Sequence, residues 1–350
     1  MFDLDNPPIA STSTSSPIPS SSNSLPHSTT SAADFTEEYL LLLLSDSNLP
    51  TGGFVASSGL ESFIQHGYLP PSSSSSSTTK HGAATDGSTE KEKGLVEFVK
   101  KSLDNYSKLN SEIVIRSHQL VQAYRLPGRG KGKERESVME ELLRVDRLCE
   151  DMILNQVSKR ASIAQGNALL SLYSRALAPT TIDEGEVGEL VDLIRREIRK
   201  GERGGWKGHQ STSFGIVMAA VGLSLNRSLH LFLFLHARSI LSSAVRLNVI
   251  GPYSAHRLLL WDIKQLVEEA TSHLTSRSSI IDRKEEEEVG MELENDRDWW
   301  DNDEEWAFLN EKEAFLNEKE AGRSAPVSTW PLGEIVASRH DQLFTKVFNS

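Results

Sequence analysis

The sequence has a single cysteine, Cys149, among its 350 residues. One thiol excludes an intramolecular disulfide framework and any metal site built from several thiolates. The ten histidines are scattered, and none has the H-x-x-x-H, H-x-H or Cys/His spacing that brings metal ligands together. Because Cys149 lies on the apolar face of a predicted helix, we expect it in the core rather than as a nucleophile. The amino end has no signal-peptide pattern, so a cytoplasmic protein is predicted.

The sequence has no surplus of basic charge that would mark a surface for nucleic acid. Its formal net charge is −12, and residues 282–320, with 17 acidic and 5 basic residues, carry the whole of it. The remainder is balanced and gives no basic footprint. Within 282–320 the heptad AFLNEKE occurs twice in tandem, and Trp299, Trp300 and Trp306 lie among carboxylates. This composition favours a solvated insert over a partner-binding peptide.

The glycine-rich stretches lack the spacing of a phosphate-binding loop. In SNLPTGGFVASSGLESF, five residues separate Gly53 from Gly59 and then Leu60 and Glu61 follow, whereas a P-loop has four residues between its glycines and a Lys-Ser/Thr pair afterwards. The stretch GRGKGK, residues 128–133, lacks the strand-turn-helix context of a dinucleotide fingerprint. No G-x-S-x-G elbow occurs either. The residues alone therefore reveal no self-contained active site.

One apolar run is long enough to cross a bilayer. It extends from Leu229 to Ile250 and contains His230, His236, Arg238 and Arg246. Ionisable side chains are costly in lipid, so the run predicts a buried helix of a bundle and no membrane association. We expect the helix over Leu229–Val249 to be the central one, apolar on all sides.

Apolar residues recur at helical spacing throughout the rest of the chain. The run from Leu95 to Leu103 has apolar residues at i, i+3, i+4 and i+8, and the pattern resumes at Ile113 after a short polar break, which predicts two helices. Ser137 with Glu140 forms a capping box and predicts the start of the next helix there. No alternation of strand type competes. The predicted fold class is therefore all-α, a single helical bundle.

Composition divides the chain into four parts. The bundle is predicted over residues 34–275, after a disordered Ser/Pro-rich tail over 1–33 and before a disordered acidic low-complexity insert over 276–330. Within the bundle, residues 70–93 are predicted as a flexible loop and residues 126–136 as a basic loop. Residues 331–350 return to an apolar pattern and are predicted to form a C-terminal docking tail.

Four stretches of the chain together resemble the UreF family of urease accessory proteins, particularly its longer fungal members. They are LLSDSNLPTGGFVASSGLESFIQHGYL, KRASIAQGNALLSLY, HARSILSSAVRLNVIGPYSAHRLL and PLGEIVASRHDQLFTKVFNS, in the order of the family. Each stretch alone is weak, but the four in order cover most of residues 36–275 and 331–350. The resemblance implies an all-α, homodimeric, non-enzymatic adaptor.

The resemblance also implies the partners. The adaptor would assemble with a companion accessory protein and a nickel-binding GTPase to deliver nickel to apo-urease, and would regulate the GTPase. Nickel would be handled by the complex, with no cofactor bound tightly by this chain. Two alternatives stay open: an enzyme in which Glu61 or a histidine acts on a bound nucleotide, and a generic helical scaffold with an acidic recruitment peptide.

Matching the family motifs residue by residue suggests six partner-binding positions. Glu61 follows the G-L pair of the signature turn and would face the GTPase or a metal path, unless it is an ordinary surface carboxylate. Arg246, in the A-V-R-L segment, would make either a partner contact or a structural ion pair. The remaining four lie in the C-terminal tail: Arg339, His340, Phe344 and Phe348.

The tail itself has two interpretations. As a recognition tail it would be mobile in the free protein and ordered by a partner, with Phe344 and Phe348 as aromatic anchors. Alternatively it caps the bundle, so that losing it would cost stability. The glycine turn, Gly52-Gly53, is expected to position Glu61 and the helix that follows.

Overall fold

The computed structural model describes residues 32–69, 86–125, 133–178, 185–201, 205–275 and 326–349. These residues form ten helices and, within the described ranges, no strand, which confirms the all-α class. The helices are α1 (Ala32–Leu44), α2 (Leu60–Gln65), α3 (Asp86–Tyr124), α4 (Lys133–Met152), α5 (Gln156–Leu172), α6 (Gly185–Lys200), α7 (Gln210–Ala220), α8 (Leu225–Arg246), α9 (Pro252–Leu258) and α10 (Pro331–Ser338). Short π-helical turns extend α5 over Tyr173–Leu177 and α9 over Leu259–Ile263, and residues 264–275 continue α9.

The centre of the bundle is α7, whose residues from Ser211 to Ala220 are all buried. It packs mainly against α3 and α5. Small residues make this possible: a Cβ at Gly215 would lie 2.6 Å from the carbonyl oxygen of Val114, so only glycine lets the backbones of α3 and α7 approach this closely. The prediction of a central helix at Leu229–Val249 was therefore wrong.

Helix α8 buries only part of its surface. Its inner face carries Leu229, Phe232, Ala237, Ile240 and Leu241, while other positions are exposed or partly exposed. Among the described helices α8 has the length and apolar composition to cross a membrane, and 56% of its most apolar stretch is buried inside the bundle. Core helices of bundles commonly share that composition.

The region predicted as two helices with a polar break is the single helix α3 of 39 residues. Neither Gly nor Pro interrupts residues 104–112, and two of the polar side chains there have hydrogen-bond partners: Ser107 Oγ donates to Asp104 O, and Asn110 Oδ1 accepts from Ser211 Oγ. Helix α3 also begins at Asp86, inside the loop predicted over 70–93.

Helix α4 begins at Lys133, inside the basic loop predicted over 126–136. Glu134 and Glu136 lie in its first turn, where carboxylates favour a helix N-terminus. Ser137 is therefore a residue of the helix and not its N-cap. Residues 1–31 of the tail predicted over 1–33, the loop residues 70–85 and 126–132, and the acidic residues 276–325 lie outside the described residues. Helix α1 begins at Ala32, inside the predicted tail.

Buried polar contacts fix the loop that leads into α7. The Asp146 carboxylate, 1% exposed, accepts hydrogen bonds from the backbone N–H groups of Lys207 (2.7 Å), Gly208 (3.0 Å) and His209 (2.9 Å). The His209 ring bonds to Glu150 at 2.8 Å. Three donors satisfy the buried carboxylate, so these polar contacts hold the loop together with the burial of Trp206 in the core.

Cys149 lies in a small apolar cluster with Ile113, Val145 and Ile153, between α3 and α4. Its burial raises the pKa of the thiol, which keeps it protonated. The prediction of a core cysteine is confirmed.

Candidate functional site: the docked C-terminal segment

The C-terminal segment, residues 326–349, packs across one end of the bundle. Its first turn is held by Asn105 of α3: Asn105 Oδ1 accepts from the N–H groups of Thr329 (2.7 Å) and Trp330 (3.1 Å), and Nδ2 donates to Glu334 Oε1 (2.9 Å). An amide side chain can satisfy donors and acceptors together, which suits it to this junction. The polar break in the α3 pattern is thus the place where the segment attaches.

Trp330 inserts its ring beside the aromatic side chains of α2 and α3. Its centroid lies 6.0 Å from that of Phe63 and 5.2 Å from that of Phe98, the latter edge to face. Pro331 then occupies the first turn of α10, where its missing N–H costs nothing. Residues 326–330, predicted as the end of the acidic insert, therefore belong to the docked segment.

Glu61, on α2, is the point to which the end of the segment is fastened. Its side chain is 1% exposed and accepts hydrogen bonds from Val347 N (2.6 Å) and Phe348 N (3.1 Å). His340 Nε2 lies 3.0 Å from the same carboxylate, and His340 is fully buried. An ionised carboxylate accepting charge-assisted hydrogen bonds forms strong contacts of this kind. Glu61 is therefore not a surface carboxylate.

Three further contacts fasten α2 to the segment. Ser62 Oγ donates to Val336 O (2.5 Å), and Gln65 Nε2 donates to Thr345 O (2.8 Å). Gly59 precedes the helix with φ of +81°, and a Cβ there would lie 2.9 Å from the Cβ of Ala337. The signature turn thus needs glycine both for its left-handed backbone and for the close approach of α10.

Arg246 joins α8, the glycine turn and the end of the segment. Its guanidinium donates to Phe54 O and lies over the Phe348 ring, 4.3 Å from the centroid. Phe348 is 2% exposed, and the next residue, Asn349, donates its N–H to Val55 O at 2.9 Å. Within the described residues its contacts are with a carbonyl oxygen and an aromatic face, so the expected structural ion pair does not form. The expected partner contact of Arg246 stays a prediction.

The outer side of the segment remains apolar and exposed. We define the docking face as the exposed apolar side chains of α10 and of the residues that follow it, together with those of the two neighbouring loops. They are Phe54, Leu154, Leu332, Ile335, Phe344 and Val347. Phe344 is fully exposed, although a side chain of this size is usually buried at least in part. An apolar surface collected at one end of a protein marks an interaction site.

Basic groups accompany the docking face. The one carboxylate of the segment's final turn, Asp341, is bound by Arg160 through two contacts of 2.8 Å, and this hydrogen bonding lowers the pKa of Asp341. Arg339 and Lys346 form no ion pair within the described ranges. The face therefore has unneutralised positive charge and would suit a partner surface of acidic character.

A cavity of about 700 Å³ opens beside the docking face. Its walls combine apolar side chains, such as Phe214, Phe232 and Leu169, with hydroxyl and amide groups, such as Ser162, Gln165 and Gln210. His236 also lines it, stacked on Tyr106 at 3.8 Å, and burial lowers the pKa of His236 to about 3, so that the ring is neutral. Among the described residues, no group of three or more His, Cys, Asp or Glu side chains is placed to hold a metal ion.

The structure brings four of the six predicted site residues into one cluster: Glu61, Arg246, His340 and Phe348. The other two, Arg339 and Phe344, lie outside it on the exposed side of the same segment. The segment is packed on the bundle, as the capping interpretation expects. Its mobility in the free protein stays a prediction. Asn105 was missed, because a polar residue interrupting an apolar pattern gave no sign of what it binds.

Comparison with known proteins finds urease accessory proteins and the UreF family. The sequence model of the UreF family matches residues 90–261. Urease accessory protein 6 of Cryptococcus neoformans var. grubii is 37% identical over 334 residues, which are 90% of this chain and 97% of that protein. A UreF-like urease accessory protein of Schizosaccharomyces pombe is 27% identical over 218 residues, covering 62% of this chain and 75% of its own length. Urease accessory protein F of Arabidopsis thaliana is 28% identical over 221 residues, with shares of 62% and 73%.

Proposed function

Since the chain belongs to the UreF family of urease accessory proteins, we propose that it is a non-enzymatic adaptor of urease maturation. The adaptor joins a companion urease accessory protein and a nickel-binding GTPase, and the complex delivers nickel to apo-urease in the cytoplasm. Nickel is the cargo of the complex, not a tightly held cofactor of this chain. The assembly contains two copies of the chain, and the adaptor controls the GTPase.

The observation that carries this proposal is the docking face. A segment at the end of the chain is fastened to the bundle on its inner side, yet presents Ile335, Phe344 and Val347 to solvent. Arg339, also exposed, forms no ion pair with any residue that the structure describes. Exposed apolar side chains with a charged rim are what a protein interface requires. We assign the face to the companion accessory protein, whose matching surface should be apolar with an acidic rim.

Reconstitution tests the function. Apo-urease, nickel, GTP, the GTPase and the companion protein are incubated with and without the full chain, and urease activity is measured. The proposal predicts activation that requires the chain, and no GTP hydrolysis by the purified chain alone. Equal activation without the chain would refute the adaptor role, and steady hydrolysis by the chain alone would support the enzyme alternative.

A further inference from the structure

We infer that Glu61 is a positioning residue for the docking face: it holds the last turn of the C-terminal segment in place and acts on the partner only through that segment. The inference has two consequences, and the second, an effect on partner binding, rests on the proposed function. Its first consequence, the fastening of the segment, concerns this chain alone.

The geometry excludes direct contact between Glu61 and a partner at this face. The carboxylate is buried beneath the segment, and the three groups it binds, Val347 N, Phe348 N and the His340 ring, all belong to the segment. Two of them are consecutive backbone amides, which have no other acceptor once the chain leaves helical structure. The side chain thus substitutes for the acceptors that a helix or a sheet would provide.

The other contacts beyond Ser338 are weaker. The Arg160–Asp341 pair is about half exposed on each side, and the bonds from Gln65 and Lys346 are on the surface. Exposed contacts of this kind contribute little, because water competes for them. The position of the final turn therefore depends on the Glu61 contacts, on the burial of Phe348 beneath Arg246, and on the backbone hydrogen bond from Asn349 N to Val55 O. Among these contacts, only those of Glu61 hold the Val347 and Phe348 amides.

Phe344 and Val347 belong to this final turn. Phe344 lies in sequence between His340 and Val347, whose ring and backbone amide contact Glu61. Val347 presents its amide to Glu61 and its side chain, 56% exposed, to solvent. Loss of the Glu61 carboxylate would release these two apolar side chains from the face while leaving α10 held by Asn105 and Trp330. The docking face would then be incomplete, although none of its own residues had changed.

Hydrogen exchange in the full chain tests the fastening. A Gln at position 61 offers one acceptor oxygen in place of the two that accept three bonds, so Glu61→Gln should raise exchange at the Val347 and Phe348 amides by about 100-fold, as expected for losing a hydrogen bond to a charged group. Asp341→Asn is the matched control in the same turn and should leave both amides within about threefold of wild type. His340→Ala removes one of the three groups that Glu61 binds and should also raise exchange at these amides. It keeps the test decisive if Glu61→Gln disturbs folding. Unchanged exchange in both Glu61→Gln and His340→Ala would overturn the inference.

Capture of the companion accessory protein tests the second consequence. Glu61→Gln should weaken capture at least tenfold. Cysteines at Gln65 and Thr345, whose contact is on the surface, then allow a short thiol crosslinker to fasten the turn again. The crosslink should restore capture to Glu61→Gln, and failure to restore it would show that Glu61 does not act through the segment. If the wild-type chain captures no companion protein, the proposed function fails, while the exchange experiment still decides the fastening.

Discussion

Single polar side chains inside the bundle are accommodated by specific neighbours that stack on them or form hydrogen bonds with them. His236 is an example: its ring stacks on Tyr106, with an angle of 4° between the planes, and bonds to Ser102 Oγ at 3.0 Å. Burial lowers the pKa of His236 to about 3. A neutral histidine fits this place because it packs as an aromatic ring and still satisfies one hydroxyl group.

This burial makes folding stability depend on pH. In the unfolded chain a histidine has a pKa of about 6.5, so between that value and the folded pKa the unfolded state binds more protons, and the free energy of unfolding falls as the pH falls. From about pH 7 to about pH 5 the contribution of one such group is ~2 kcal/mol. His236→Phe keeps the stacking on Tyr106 but cannot bind a proton. The free energy of unfolding, measured by urea titration at the two pH values, should therefore fall by ~2 kcal/mol less in this variant than in wild type. Equal losses in wild type and variant would contradict the burial of a neutral ring.

Residues whose role depends on a distant part of the chain were only partly predictable. The motifs brought Glu61, His340 and Phe348 to notice, but their contact spans more than 270 positions of sequence, and no local pattern could pair them. Burial also reversed the simplest interpretation of Glu61, since a carboxylate after a Gly-Leu pair is ordinarily solvated. Asn105 gave no signal for the same reason.

Among the elements, α7 shows most clearly how packing overrides composition. Leu-rich α8 has the longer apolar run in the sequence, yet α7 takes the centre because its small residues allow α3 and α5 to approach closely. Periodicity predicted that both segments are helical, since that depends on local spacing. It could not rank them by burial, since that depends on the side chains of their neighbours.

Two glycines in helices provide a matched test of this packing. Gly215→Ala would place a Cβ 2.6 Å from Val114 O, so α7 must shift, and we expect a loss of ~1–3 kcal/mol despite the better helix propensity of alanine. Gly188→Ala in α6 meets nothing within 4 Å and should instead gain up to ~1 kcal/mol. Urea unfolding of both variants measures the difference. A stabilising Gly215→Ala would show that the helices are not closely packed there.

At the scale of the whole molecule, the chain is a helical bundle that carries its candidate interaction surface on its own C-terminal end. The segment closes over α2 and the glycine turn, so the signature turn and the terminal motif, far apart in sequence, form one structural unit. In this arrangement each of the two motifs supplies contacts to the other. It also separates the inner contacts that hold the segment from the outer side chains left for a partner.

The most direct test of the docking face is the affinity of the companion accessory protein for full-length variants of its exposed side chains. Ile335→Glu and Phe344→Glu place like charge opposite the acidic rim expected of the partner, and each should weaken binding by at least tenfold without lowering the melting temperature, because both side chains are exposed. Trp261→Glu is the control: Trp261 is also an exposed apolar residue, on the π-turn that extends α9, and this variant should bind as wild type does. Calorimetric titration of the three variants decides the matter. Wild-type affinity in both Ile335→Glu and Phe344→Glu would contradict the docking face.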